Sequence, residues 1–221
     1  MSGFEEPYGG ALPRRVGLGR VALALVIIDV ATLGFITLGF EMVASRILTP
    51  LFGGDIYTWA TIISIVVAGL MGGYFLGGIF ADRAPGFGLA ALIKLASAGY
   101  LLVVFFITAG TLEELINGIP DGTLALFFSG AVVCLPPLVI LGMYAPLAVR
   151  LVLADPGDAG KVSGGLFAIS SLGNIAGIIV TTFVLIPSIG TRAITLGFAT
   201  FLILSGLASL AALPATRRRD G

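Results

Sequence analysis

Six stretches of this chain are each apolar for about 20 residues, the length an α-helix needs to cross roughly 30 Å of hydrocarbon. They run from Val21 to about Met42, Tyr57 to Phe80, about Leu89 to Ala109, Leu124 to about Leu151, Gly164 to Pro187, and about Ala193 to Leu213. Between them lie short segments holding most of the glycine, proline and charge. Charged residues make up only 11% of the 221 residues and apolar ones 57%, against roughly 25% charged in a soluble domain. Water could not solvate a fold with so much apolar surface, whereas lipid can. The expected fold is therefore all-α, an integral membrane protein of about six transmembrane helices. Residues 1–19 read as an N-terminal tail, 20–213 as the membrane domain and 214–221 as a basic tail.

The placement of Lys and Arg predicts orientation. With the N-terminus inside, the inner segments carry Arg14, Arg15, Arg20, Arg83, Arg150, Lys161, Arg217, Arg218 and Arg219. Lys94 enters helix three from the same side, where it can snorkel back. Only Arg46 and Arg192 fall outside, a split of ten to two. Both termini are thus expected in the cytoplasm, with the chain in the inner cell membrane. Tyr57 and Trp59 read as interfacial anchors. The polar start does not resemble a cleavable signal.

The composition also narrows the chemistry. The chain has no histidine, and its single cysteine, Cys134, lies inside an apolar stretch. Without histidine the commonest general base and metal ligand are missing. No nucleophile–base pair, metal-ligand cluster or cofactor loop is apparent, so no cofactor, no metal and no catalysis are expected. No nucleic-acid partner is expected either.

Charges inside the membrane are costly and seldom face lipid. Asp29 lies about 13 Å into helix one at 1.5 Å per residue. It reads either as a proton or cation site or as a structural carboxyl, free to pair with Lys94. Glu41 and Arg46 bracket the far end of helix one. If the helix unwinds before Pro50, the two can form an interfacial ion pair; otherwise Glu41 is left for an outward-facing site. Asp82 and Arg83 close helix two, and Asp82 can pair with Arg150. Pro136 and Pro137 are expected to break or bend helix four near mid-membrane.

Glycine ladders mark two helices. Gly69, Gly73 and Gly77 recur every four residues in helix two, with Gly72 and Gly78 widening that side. Gly173 and Gly177 do the same in helix five, beside Ser170 and Asn174. Such strips allow close backbone approach, within one bundle or against a second one.

Several of these residues occur together in order. One stretch is Glu41-Met-Val-Ala-Ser-Arg46-Ile-Leu-Thr-Pro50-Leu-Phe-Gly53, with Trp59 and Gly72-Gly73-Tyr-Phe-Leu-Gly77-Gly78-Ile-Phe-Ala-Asp82-Arg83 following. Then come Pro136-Pro137, Gly142-Met-Tyr-Ala-Pro146-Leu-Ala-Val-Arg150 and Gly164-Gly-Leu-Phe-Ala-Ile-Ser-Ser171-Leu-Gly173-Asn174-Ile-Ala-Gly177. Together they resemble the membrane half of spermidine synthase-like membrane proteins over about residues 22–210. The Gly78…Asp82-Arg83 element resembles the inner-loop motif of major facilitator transporters, of which six helices would make one half. That resemblance implies helices two and five facing a second half. The soluble aminopropyltransferase-like domain that commonly follows in the spermidine synthase-like group finds no counterpart before Gly221, so no catalytic residue is carried over.

Three functions are therefore expected in turn. The first is a non-catalytic membrane subunit or scaffold that associates through the glycine faces with itself, with other membrane-complex subunits or with a separate soluble partner. The second is a dimeric half-transporter for a small polar or cationic, polyamine-like metabolite, using Asp29, Glu41, Lys94 and Asn174. The third is the membrane part of a split spermidine synthase-like enzyme.

Overall fold

The computed structural model describes residues 18–108 and 111–217, all helix and short connections with no strand among them. The tail residues Arg14, Arg15, Arg218 and Arg219 lie outside the described residues. The helices are α1 (Arg20–Phe52), α2 (Ile56–Arg83), α3 (Phe87–Ile107), the short α4 (Thr111–Asn117), α5 (Gly122–Gly142), α6 (Tyr144–Val152), α7 (Ala159–Val180) and α8 (Ile186–Arg217). A 3₁₀ turn at Pro156–Asp158 precedes α7, and a π-helical stretch, Thr181–Leu185, joins α7 to α8. Five helical segments are long and apolar enough to cross a membrane. The chain is a multi-pass membrane protein. The last segment spans 57 residues, Pro156–Ala212. Unbroken, it would be about 85 Å long, far more than a bilayer core of about 30 Å. Gly190 interrupts it with φ +76°, ψ 164°, a left-handed backbone that glycine adopts without Cβ strain.

Helix one is longer than its apolar run predicts. It continues through Pro50 to Phe52 and stops at Gly53, φ +83°, whose N–H donates to the Thr49 carbonyl at 2.9 Å. Because the helix does not unwind before Pro50, Glu41 and Arg46 stay on different sides of it. Glu41 is buried, Arg46 is exposed, and no ion pair forms between them. Five residues at 100° each separate them by about 140° around the helix axis. Asp55 then caps α2, accepting a hydrogen bond from the Thr58 N–H at 2.9 Å.

The bundle is built from three extensive helix pairs, α1 with α7, α3 with α8, and α2 with α5. Glycine sets two of them. A Cβ on Gly69 would meet Leu138 of α5 at 3.1 Å, and one on Gly77 would sit 2.5 Å from the Met143 backbone. A Cβ on Gly73 would fall on the Val139 carbonyl oxygen, one on Gly173 on that of Ala31, and one on Gly177 on that of Phe35. The ladders of α2 and α7 are thus filled by α5, α6 and α1 of the same chain. They are not open docking faces. Gly78 is off the ladder, with nothing within 4 Å of its Cβ position, so close packing is not its role.

The expected break at Pro136–Pro137 does not occur. Helix α5 continues through both prolines to Gly142, and Met143, with helical φ −60°, ψ −20° and its N–H on the Val139 carbonyl, leads directly into α6. Pro136 has no N–H to offer the carbonyl of Val132, four residues back. The Tyr100 hydroxyl of α3 donates to that carbonyl at 2.7 Å instead. A neighbouring helix thus supplies the lost hydrogen bond, as an apolar surrounding requires.

Two outcomes follow. Gly177→Leu should lower stability by about 1–3 kcal/mol through overpacking, whereas Gly78→Ala should stay within about 0.5 kcal/mol of the parent. Thermal unfolding in detergent measures both. The Thr58 amide holds the Asp55 carboxyl below its ordinary range. Its contribution is therefore complete above its unfolded-state pKa and lost as pH falls through the lower folded value. Acid unfolding of Asp55→Ala should show less dependence on pH in that window.

Candidate functional site

Asp29, on α1, is 7% exposed and lies at the centre of a polar cluster drawn from four helices. Its Oδ2 pairs with Lys94 Nζ of α3. The same oxygen accepts the Tyr144 hydroxyl of α6 at 2.9 Å, and Oδ1 accepts the Ser205 hydroxyl of α8 at 2.9 Å. Lys94 is wholly buried and also donates to Ser209 Oγ at 2.8 Å and Ser205 Oγ at 3.0 Å. The three ammonium protons are thereby all engaged. Lys94 does not snorkel to the interface as its sequence position suggests. Four oxygens inside the bundle offer it what water would, and its ammonium also sits 5.6 Å from the Tyr144 ring centroid.

This geometry makes chemical sense only as a unit. Removing two charges from water costs several kcal/mol per ion, and only good geometry with further hydrogen bonds offsets it. Ser205 and Ser209 supply those bonds, one helical turn apart on α8. Ser209 Oγ is tied in turn to the Ser205 carbonyl at 3.2 Å. Tyr144 opens α6 directly after Met143, and its hydroxyl reaches Asp29 from there. Sequence reasoning had Asp29 and Lys94 but missed Tyr144, Ser205 and Ser209. The i, i+4 spacing of the two serines was the available signal.

A cleft of about 50 Å³ opens beside the cluster, between α1, α2, α5, α6 and α7. Tyr144 is shared, since its ring lines the cleft while its hydroxyl holds Asp29. Tyr74, Ser170 and Asn174 line it too, together with Leu33 and Thr37. Among the described residues, the side chains of Tyr74, Ser170 and Asn174 have no hydrogen-bond partner. Asn174 is thus brought to the cleft, though not to the ion pair. Glu41 is 8% exposed, lies on α1 about three turns from Asp29, and is neither bonded to the pair nor one of the residues lining the cleft. Arg150 Nε lies 3.6 Å from Asp82 Oδ1, a long pair at an exposed helix end. Arg83, also exposed, makes no ion pair among the described residues.

No group of three or more potential metal-ligating residues is found among the described residues. Comparison with protein-family models, curated proteins and solved structures gives no match.

Lys94→Met should cost about 3–5 kcal/mol, because it leaves a buried carboxylate without its cation. Adding Asp29→Leu to that variant should restore part of the loss. Thermal unfolding of the two variants in detergent measures the difference, and equal stability of single and double variants would contradict it.

Proposed function

We propose that this chain is a half-transporter, completed by a second copy of itself, that carries a small polar or cationic solute through the inner membrane. One observation carries the reading: a cleft with unpartnered polar side chains shares Tyr144 with a buried Asp29–Lys94 pair. Polar groups at membrane depth need partners, and intramembrane charges mark solute and ion paths by default. Tyr74, Ser170 and Asn174 provide hydroxyl and amide groups that both donate and accept. Such a set can complement itself across a two-fold axis.

In this reading there are six spans, because Gly190 divides the last apolar segment into arms with different partners. The α7 arm packs on α1 and the α8 arm on α3. Both termini are cytoplasmic. With Lys94 buried in its pair, nine inner basic residues remain against Arg46 and Arg192, and the positive-inside preference persists. Phe75 of α2 and Leu172 of α7 are 71% and 68% exposed and belong to the face a second copy would cover. Association no longer relies on the glycine rungs, which are occupied within the chain. It relies on the side chains beside them. The resemblance to half of a major facilitator transporter agrees with this face, since helices two and five meet the second half there.

The scaffold reading shares the association step but assigns no role to the cleft. The two separate by experiment. Cysteines placed at Phe75 or Leu172 should cross-link into dimers in the native membrane, whereas one at Leu92 of α3, 63% exposed, should not. In proteoliposomes, uptake of a labelled diamine or a labelled neutral amino acid should be abolished by Asp29→Asn. Cross-linking without uptake of either probe supports the scaffold. A strict monomer overturns the half-transporter reading, and a strict monomer with no co-purifying partner overturns the scaffold as well.

A further inference from the structure

The cleft beside the ion pair carries polar groups but no charge. None of the side chains lining it is a carboxylate, an ammonium or a guanidinium. Its open polar groups are those of Tyr74, Ser170 and Asn174, since the Thr37 hydroxyl already donates to the Leu33 carbonyl at 2.7 Å. Two of the three converge on Gly34 of α1, which also lines the cleft. A Cβ placed on Gly34 would lie 3.2 Å from Ser170 Oγ and 3.1 Å from Asn174 Oδ1. Both oxygens therefore reach the same stretch of the α1 wall, and the missing side chain leaves them room. A hydroxyl and a primary amide placed together offer donors and acceptors at one spot.

Asp29 does not supply the missing charge. It is not one of the lining residues, its Oδ1 accepts from Ser205, and its Oδ2 accepts from both Lys94 and Tyr144. With Lys94 beside it, the pair is neutral as a unit. A cation entering the cleft would leave water without gaining a counter-ion, a costly transfer in a low-dielectric interior. Aromatic faces do not replace that counter-ion. The Tyr144 ring already has the Lys94 ammonium 5.6 Å from its centroid. Tyr74 and Phe167 are 48% and 53% exposed, and cation–π attraction is weak at exposed rings.

Size narrows the class further. The cleft measures about 50 Å³. One water needs ~10–15 Å³, so the space holds about three to five waters, or a solute with about as many heavy atoms. We infer that the cleft binds a small solute of zero net charge, neutral or zwitterionic, whose donors and acceptors are met by Tyr74, Ser170 and Asn174, and that it rejects cations of the same size. The inference rests on the transport reading for treating the cleft as a solute site. It narrows that reading from polar or cationic solutes to those without net charge.

Free glycine and trimethylenediamine have equal heavy-atom counts, but at neutral pH the first is a zwitterion and the second is doubly protonated. Equilibrium dialysis of the full chain in lipid nanodiscs against each labelled compound should detect binding of glycine and not of the diamine. Asn174→Ala should weaken glycine binding about 10- to 100-fold, the scale of a lost hydrogen bond to a charged group. Asn174→Asp, close in shape to the parent side chain, places a carboxylate in the cleft and should reverse the preference; diamine binding there also shows that this variant is folded. Four results overturn the inference: diamine binding by the parent chain as tight as that of glycine, binding of neither compound, glycine binding unchanged in Asn174→Ala, or an Asn174→Asp chain that still prefers glycine. Uptake into proteoliposomes separates the solute class from the reading it rests on. Diamine uptake keeps transport and overturns the class, whereas glycine binding without uptake keeps the class and overturns transport.

Discussion

The pairing of Asp29 with Lys94 is the interaction on which the arrangement of this bundle depends. Neither charge is tolerable alone at that depth, so each helix that carries or satisfies one of them is held in register by the other. Through Tyr144 and the two serines the constraint reaches four helices, α1, α3, α6 and α8. Three of the five participants lie more than 100 residues from their partners in the chain. In lipid, where apolar contact offers little preference between helix pairs, such a network distinguishes one packing from many.

Glycine performs the complementary task. The polar cluster fixes which helices meet on one side, while Gly69, Gly73 and Gly77 let α2 approach α5 and α6, and Gly173 and Gly177 let α7 approach α1. These contacts rest on dispersion and close approach, which in lipid substitute for the hydrophobic drive available in water. The same logic accounts for Tyr100, which takes the carbonyl that Pro136 leaves unpaired.

The cleft inherits its position from both sets of contacts. It lies where the α1–α7 and α2–α5 pairs meet, beside the start of α6. Tyr144, the first residue of α6, borders both the cleft and the ion pair. The transport reading depends on that shared residue.

Membrane residency and the all-helical class were legible in the sequence, because hydropathy is a property of a local stretch. The pairing of Asp29 with Lys94 was available as one option among several. What the tertiary structure alone decided was partnership. It turned Lys94 inward, left Glu41 without Arg46, closed the glycine ladders from within the chain and carried the helix unbroken through Pro136 and Pro137. Each of these outcomes depends on which atoms from distant segments arrive beside a residue. A sequence records the need for a partner at a buried charge, a glycine or a proline, and only the packed bundle supplies its identity.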